Sequence, residues 1–127
     1  MKLNESFTVN QLATITDKAL DNAYHYGIST PGNNFGWLAN IESVKAAKKL
    51  IDSGERDIET ISYAIHDGWN IIAKADSNGE LTLDKPTPED KKQKRLALSK
   101  KSYDELSEED KEKDRVIARV LLKSLVL

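Results

Sequence analysis

Of the two histidines in the chain, His66 stands three residues before Trp69. Residues three apart on a helix are surface neighbours, so an imidazole and an indole are presented side by side. As a site, His66 would donate to a ligand phosphate or base while Trp69 stacks on the ligand. As structure, Trp69 would anchor a core and His66 would be a buried hydrogen-bonding residue. A second concentration of chemistry is basic. Lys91, Lys92, Lys94, Arg95, Lys100 and Lys101 fall in a run with no acid anywhere in residues 91–101. Such a run makes a local positive potential suited to a phosphate or an acidic protein surface. A solvated helix face with acidic neighbours at Glu89, Asp90, Asp104 and Glu105 accounts for the same residues. As binders, Lys91, Lys92 and Arg95 share one face.

Catalytic chemistry finds little support. Neither a His-containing metal spacing, nor a nucleophile elbow, nor a phosphate-binding glycine loop is present. The chain has no cysteine, so disulfides, thiolate metal sites and a cysteine nucleophile are excluded. Glu108, Glu109 and Asp110 follow Ser107 and read as the acidic first turn of a helix rather than a metal site. Asp114 and Arg115 are adjacent, and adjacent helix residues do not face each other, so each is expected to bond elsewhere. Paired carboxylates can still meet in space. The expectation is a non-enzymatic protein without a cofactor or metal.

These residues need a scaffold, and 127 residues suffice for one domain with a real core. The net charge of −2 argues against nucleic-acid binding by overall charge. Residues 1–76 hold 7 Lys/Arg against 10 Asp/Glu, and residues 77–127 hold 12 against 11, so the basic run is a local feature. No signal-peptide run or membrane-length apolar stretch occurs, which makes a cytoplasmic protein the expectation.

Apolar spacing and capping signals predict a mainly α domain of about five helices. The first spans Thr8 to Tyr26, with a Thr8/Gln11 capping box, an inward face of Leu12, Ile15, Ala19, Leu20 and Ala23, and a stop at Gly27. Ile28–Asn40 reads as a loop, whose Phe35 and Trp37 either plug a gap between helices or wall a ligand. Asn40 would cap a second helix ending near Ser53-Gly54. A third runs from Asp57 towards Lys74 with Gly68 inside it, which calls for close packing of another backbone there, or a break. Asp76-Ser77-Asn78-Gly79 before Glu80-Leu81-Thr82-Leu83 suggests at most a small hairpin. Thr87 would cap a helix to about Leu98, and the last helix would span Glu108 to Leu125.

An ordered set of residues carries a resemblance. Ile61, Ala64, Ile65, His66 and Trp69, then Lys91 or Lys92, then Tyr103, Leu106, Lys111, Asp114 and Arg115 resemble the small repeat of ryanodine receptors and of some prokaryotic and viral proteins. The likeness covers about residues 57–125. It departs where the family's Gly-Trp-x-x-Gly segment shrinks to Gly79-Glu80-Leu81, and where Arg95-Leu96-Ala97-Leu98 replaces a His-Pro. The resemblance implies a repeat-type domain at 57–127, with 1–56 as an N-terminal helical extension packed on it in one compact unit. It also implies a module sensing a phosphate-bearing nucleotide-derived small molecule, as suspected for prokaryotic and phage members. Candidate ligand residues are then His66, Trp69, Lys91, Lys92, Arg95, Tyr103 and Arg115. A protein-interaction module, such as a phage protein acting on a host factor in the host cytoplasm, is the alternative, and an enzyme the second alternative. Because such repeats pair in the receptors, the apolar Leu121–Leu127 tail is a candidate homodimer surface.

Overall fold

The computed structural model describes residues 2–127. The domain is mainly helical, with helices α1 (Val9–Tyr24), α2 (Phe35–Asp52), α3 (Ile58–Ser77), α4 (Glu89–Ser99) and α5 (Glu108–Leu125), and a 3-10 turn at Tyr103–Glu105. The described residues form no sheet. Their single β-bridge joins Leu3 to Val126 in antiparallel fashion, and the main-chain bond from Leu127 N–H to the Lys2 carbonyl (2.9 Å) reinforces it.

Each helix start has a local cause. The capping box at α1 is complete: Gln11 N–H donates to the Thr8 hydroxyl, and the Thr8 N–H donates to the Gln11 side chain. The helix ends at His25, not at Gly27; its φ of 58° is left-handed and its own N–H donates to the Asp21 carbonyl at 2.8 Å. Asp57 caps α3 through the Thr60 N–H, and Ser107 caps α5 through the Asp110 N–H. α5 has the bounds expected of it.

Three local expectations are corrected. α2 starts at Phe35 and not beyond Asn40, because the Asn34 carboxamide accepts the Trp37 N–H at 2.8 Å and supplies the cap. Asn40 is instead a buried residue in the helix interior. No hairpin forms among the described residues, within the expectation of at most a small one. α3 continues through Asp76 and Ser77, and the following segment is tied by its Asp84 N–H to the Asn33 carbonyl. α4 begins one residue late, at Glu89, with Pro88 as its cap, because the Thr87 hydroxyl is turned towards the Arg95 guanidinium (3.4 Å). On α1, Leu12 is buried and Ile15 and Leu20 pack against the core as expected, but Ala13, Thr16 and Asp17 are buried as well and Ala23 is exposed.

One core runs through the chain. Leu12 and Ala13 of α1, Trp37, Val44, Ala47 and Ile51 of α2, Ile61 and Ile65 of α3, and Ile117, Ala118, Leu121 and Leu125 of α5 form a single buried cluster. Residues before and after position 56 thus bury their apolar surface against each other, which is the dominant stabilising term in any such bundle. Leu121 and Leu125, offered above as dimer surface, face this interior, whereas Leu127 is exposed. Gly68 explains the α2–α3 seam. A Cβ there would lie 2.6 Å from the Glu42 carbonyl oxygen and 2.9 Å from the Ser43 nitrogen. The helix does not break at this glycine. The missing side chain lets α2 approach, and the Ser43 hydroxyl donates to the Ile65 carbonyl across the gap at 3.1 Å.

Candidate functional site

The seam opens into a cavity of about 560 Å³, within the roughly 300–1,000 Å³ range of small-molecule sites. Its walls come from all five helices. α1 contributes Asp17 and Leu20, α2 Phe35, Asn40 and Ser43, α3 His66 and Trp69, α4 Lys91 and Arg95, and α5 Asp110, Lys113, Asp114 and Ile117. The short loop after α1 adds Tyr26, Gly27 and Ser29.

The aromatic wall is a connected series. Trp69 and His66 lie nearly parallel, with ring centroids 6.1 Å apart at 13°. Phe35 meets Trp69 edge-on at 6.0 Å and 80°. The Arg95 guanidinium sits 3.6 Å from the Phe35 ring centroid, a cation–π stack. The two aromatics of the Phe35-Gly36-Trp37 segment have therefore divided their roles. Trp37 is buried in the core, and Phe35 lines the cavity.

His66 is buried, and its Nε2 lies 2.8 Å from the Lys101 carbonyl oxygen. A carbonyl only accepts, so Nε2 carries the hydrogen and Nδ1 is left to face the cavity side. There Nδ1 stands 3.9 Å from Asp114 Oδ2, beyond direct hydrogen-bond reach. The Asp114 side chain is only 13% exposed. Burial, and then the neighbouring Asp110 charge, push its carboxyl up to about 8, so it is largely protonated at neutral pH.

The other acids are engaged. Asp17 accepts the Ser29 N–H (2.7 Å) and the Asn40 carboxamide N–H (3.4 Å). Asp110 is paired with Lys113 at 3.6 Å. Lys91 and Arg95, by contrast, lie one helical turn apart on the cavity face of α4. Among the described residues neither has a carboxylate within 4.0 Å. Burial lowers the Arg95 pKa and the Asp76 charge opposes that effect, so a cation is held against an aromatic face in a partly desolvated site.

Of the seven residues singled out by sequence, four come together here: His66, Trp69, Lys91 and Arg95. Lys92 is not among the residues that line the cavity. Tyr103 and Arg115 lie at a separate, shallower depression of about 330 Å³, with Glu59, Tyr63 and Lys111. The Tyr103 hydroxyl donates to Glu59, and Arg115 Nε donates to the same carboxylate at 2.8 Å. Arg115 also pairs with Glu108 at 3.0 Å. Burial and the Glu59 carboxylate push the Tyr103 phenol up to about 12. This cluster ties α3 to the start of α5, and its charges satisfy one another. Asp114 and Arg115 do point apart, one to each site.

Three contributors are not apparent in the sequence. Asp17 and Asn40 are 23 positions apart and meet only through the α1–α2 packing. Asp114 gives no local hint of its burial. Comparison with family models, with curated proteins and with solved structures finds no match for this chain.

Proposed function

We propose that the protein is a non-catalytic binding module of ryanodine-receptor-repeat type whose central cavity takes a phosphate-bearing, nucleotide-derived small molecule. The observation that carries this reading is the meeting of Lys91 and Arg95, without carboxylate partners, with the Trp69/His66 wall in one concave site. Two cations one turn apart suit a phosphate, and the aromatic wall suits a flat base. An enlarged flat or charged surface, which a protein-interaction module would call for, is matched less well than this concavity.

Most of the titratable groups lining the cavity are occupied, Asp114 and the Nδ1 of His66 being the exceptions. Asp17 holds a loop N–H and Asn40, Asp110 holds Lys113, and His66 holds the Lys101 carbonyl. That favours binding over catalysis.

Thermal unfolding with mono-, di- and cyclic nucleotides, ADP-ribose and NAD tests the reading. A ligand at about 100 times its Kd stabilises by roughly 2.7 kcal/mol, a shift of several degrees in Tm. Lys91→Ala and Arg95→Ala should each abolish the shift, and Lys92→Ala should leave it. No shift with any nucleotide would sink the proposal and favour a protein partner instead.

A further inference from the structure

The cavity is electrically asymmetric. Arg95, Phe35, Trp69, His66 and Asp114 follow one another in contact order, from the guanidinium on Phe35 (3.6 Å) to the 3.9 Å approach of Asp114 to His66. The charge acting on Arg95 is Asp76, and those acting on Asp114 are Asp110 and Lys113. The two ends thus have separate electrostatic surroundings. Cations with no carboxylate within 4.0 Å collect at the α4 end, where the buried Asp76 acts on Arg95 from further away, and carboxyl groups collect at the α5 end.

We propose that the α5 end, through Asp114 and His66, reads an uncharged hydrogen-bonding edge, so that the site takes nucleoside monophosphates with a neutral base and rejects those whose base is anionic. This rests on the nucleotide-binding reading above. The phosphate goes to Lys91 and Arg95, and the base lies along the Trp69/His66 wall with its polar edge at Asp114.

Three features support it. The 3.9 Å gap to His66 leaves the Asp114 carboxyl without a direct hydrogen bond to that ring. A protonated carboxyl offers one donor and one acceptor side by side, the complement of an amide-like base edge. The groups facing it are His66 from α3 and Asp110 and Lys113 from α5, and Asp17 of α1 lines the same cavity but is already hydrogen-bonded. Lys113 is matched by Asp110 at 3.6 Å, so an anionic base would meet a neutral acid and a carboxylate without a free cation.

Calorimetric titration with two pairs of probes tests this. Orotidine 5′-monophosphate is uridine 5′-monophosphate with a carboxylate on the base. Xanthosine 5′-monophosphate differs from guanosine 5′-monophosphate in a base that is largely anionic at neutral pH. Adenosine and cytidine 5′-monophosphates complete the neutral set. The neutral members should bind at least about tenfold more tightly than the anionic ones. Affinity for the tightest neutral member should fall as pH rises from 7 to 8.5, as Asp114 ionises. Asp114→Asn, which keeps a neutral donor and acceptor, should remove that fall. The fall in the unmodified protein is read independently of the variant's folding. Equal affinities within both pairs, or a pH profile unchanged in Asp114→Asn, would overturn this inference alone. No binding by any probe would overturn the nucleotide reading and this inference with it.

Discussion

Gly68→Ala is the sharpest test of how the cavity is held open. In a solvent-facing helix interior this substitution stabilises by about 1 kcal/mol, because alanine restricts the unfolded backbone and favours the helix. Here the added Cβ would stand 2.6 Å from the Glu42 carbonyl oxygen, about 0.8 Å short of the 3.4 Å at which ordinary contact begins. The opposing atoms are main chain within α2, so no side-chain rotation relieves the overlap. α2 and α3 must separate. Overpacking of this kind costs about 1–3 kcal/mol, and the Ser43–Ile65 hydrogen bond across the seam contributes about 1 kcal/mol more. Against the propensity gain, the net loss is about 1–3 kcal/mol, and each kcal/mol lowers Tm by about 3–5 °C in a domain this size. Differential scanning calorimetry reads it directly. Gly36→Ala is the internal comparison, since the one contact its Cβ would make below 3.4 Å is with the Ser29 hydroxyl at 2.7 Å, a side-chain atom that can rotate away. A Gly68→Ala protein as stable as the parent, or more so, would refute the close approach of the two helices.

Further outcomes follow from the same geometry. The Asp114 carboxyl is raised from its ordinary value to about 8 in the folded state, so its contribution is fully present below about pH 4 and is lost as pH rises towards 8. Across that window stability should fall by up to about 1.4 kcal/mol per pH unit relative to Asp114→Asn, which urea unfolding of both proteins would show; parallel profiles would contradict it. Tyr103 is raised to about 12, so absorbance titration should find a tyrosine step in that range, and Tyr103→Phe should remove it. The same substitution should lower stability by about 0.5–1.5 kcal/mol through loss of the Glu59 bond. Asn34→Ala should cost about 1 kcal/mol by uncapping α2, and no loss would mean that the helix starts elsewhere.

The legibility of this chain followed how local each cause was. α5 announced itself because Ser107, three acids and an apolar stripe all agree within one segment. Gly68 was legible as a close approach because a glycine inside a strongly apolar helix pattern has few other uses, although the sequence did not say that α2 would be the partner. The start of α2 was obscured because Gly36 and the preceding Pro-Gly-Asn-Asn imitate a loop, while the Asn34 cap lies inside that imitation. Leu81-Thr82-Leu83 alternates like a strand but finds no partner strand, and alternation without a partner makes no ladder. His66, Trp69, Lys91 and Arg95 could be named from type and spacing. Phe35 under Arg95, Asp17 against Asn40 and the buried Asp114 depend on contacts between distant segments, which no local pattern carries. Tyr103 and Arg115 enter the candidate set only through the family resemblance, and space places them in a separate ion-pair cluster with Glu59.

The Leu3–Val126 bridge has a consequence for engineering. Together with the bond from Leu127 N–H to the Lys2 carbonyl, it makes the fold almost a closed ring in topology, with neighbouring ends. A short flexible linker joining these ends, with new ends cut at the exposed Asn78-Gly79-Glu80 turn, should give a circular permutant that keeps every helix intact. In that rearranged chain α4 and α5 would precede α1, so the cation pair and the buried acid would be made before the aromatic wall that lies between them.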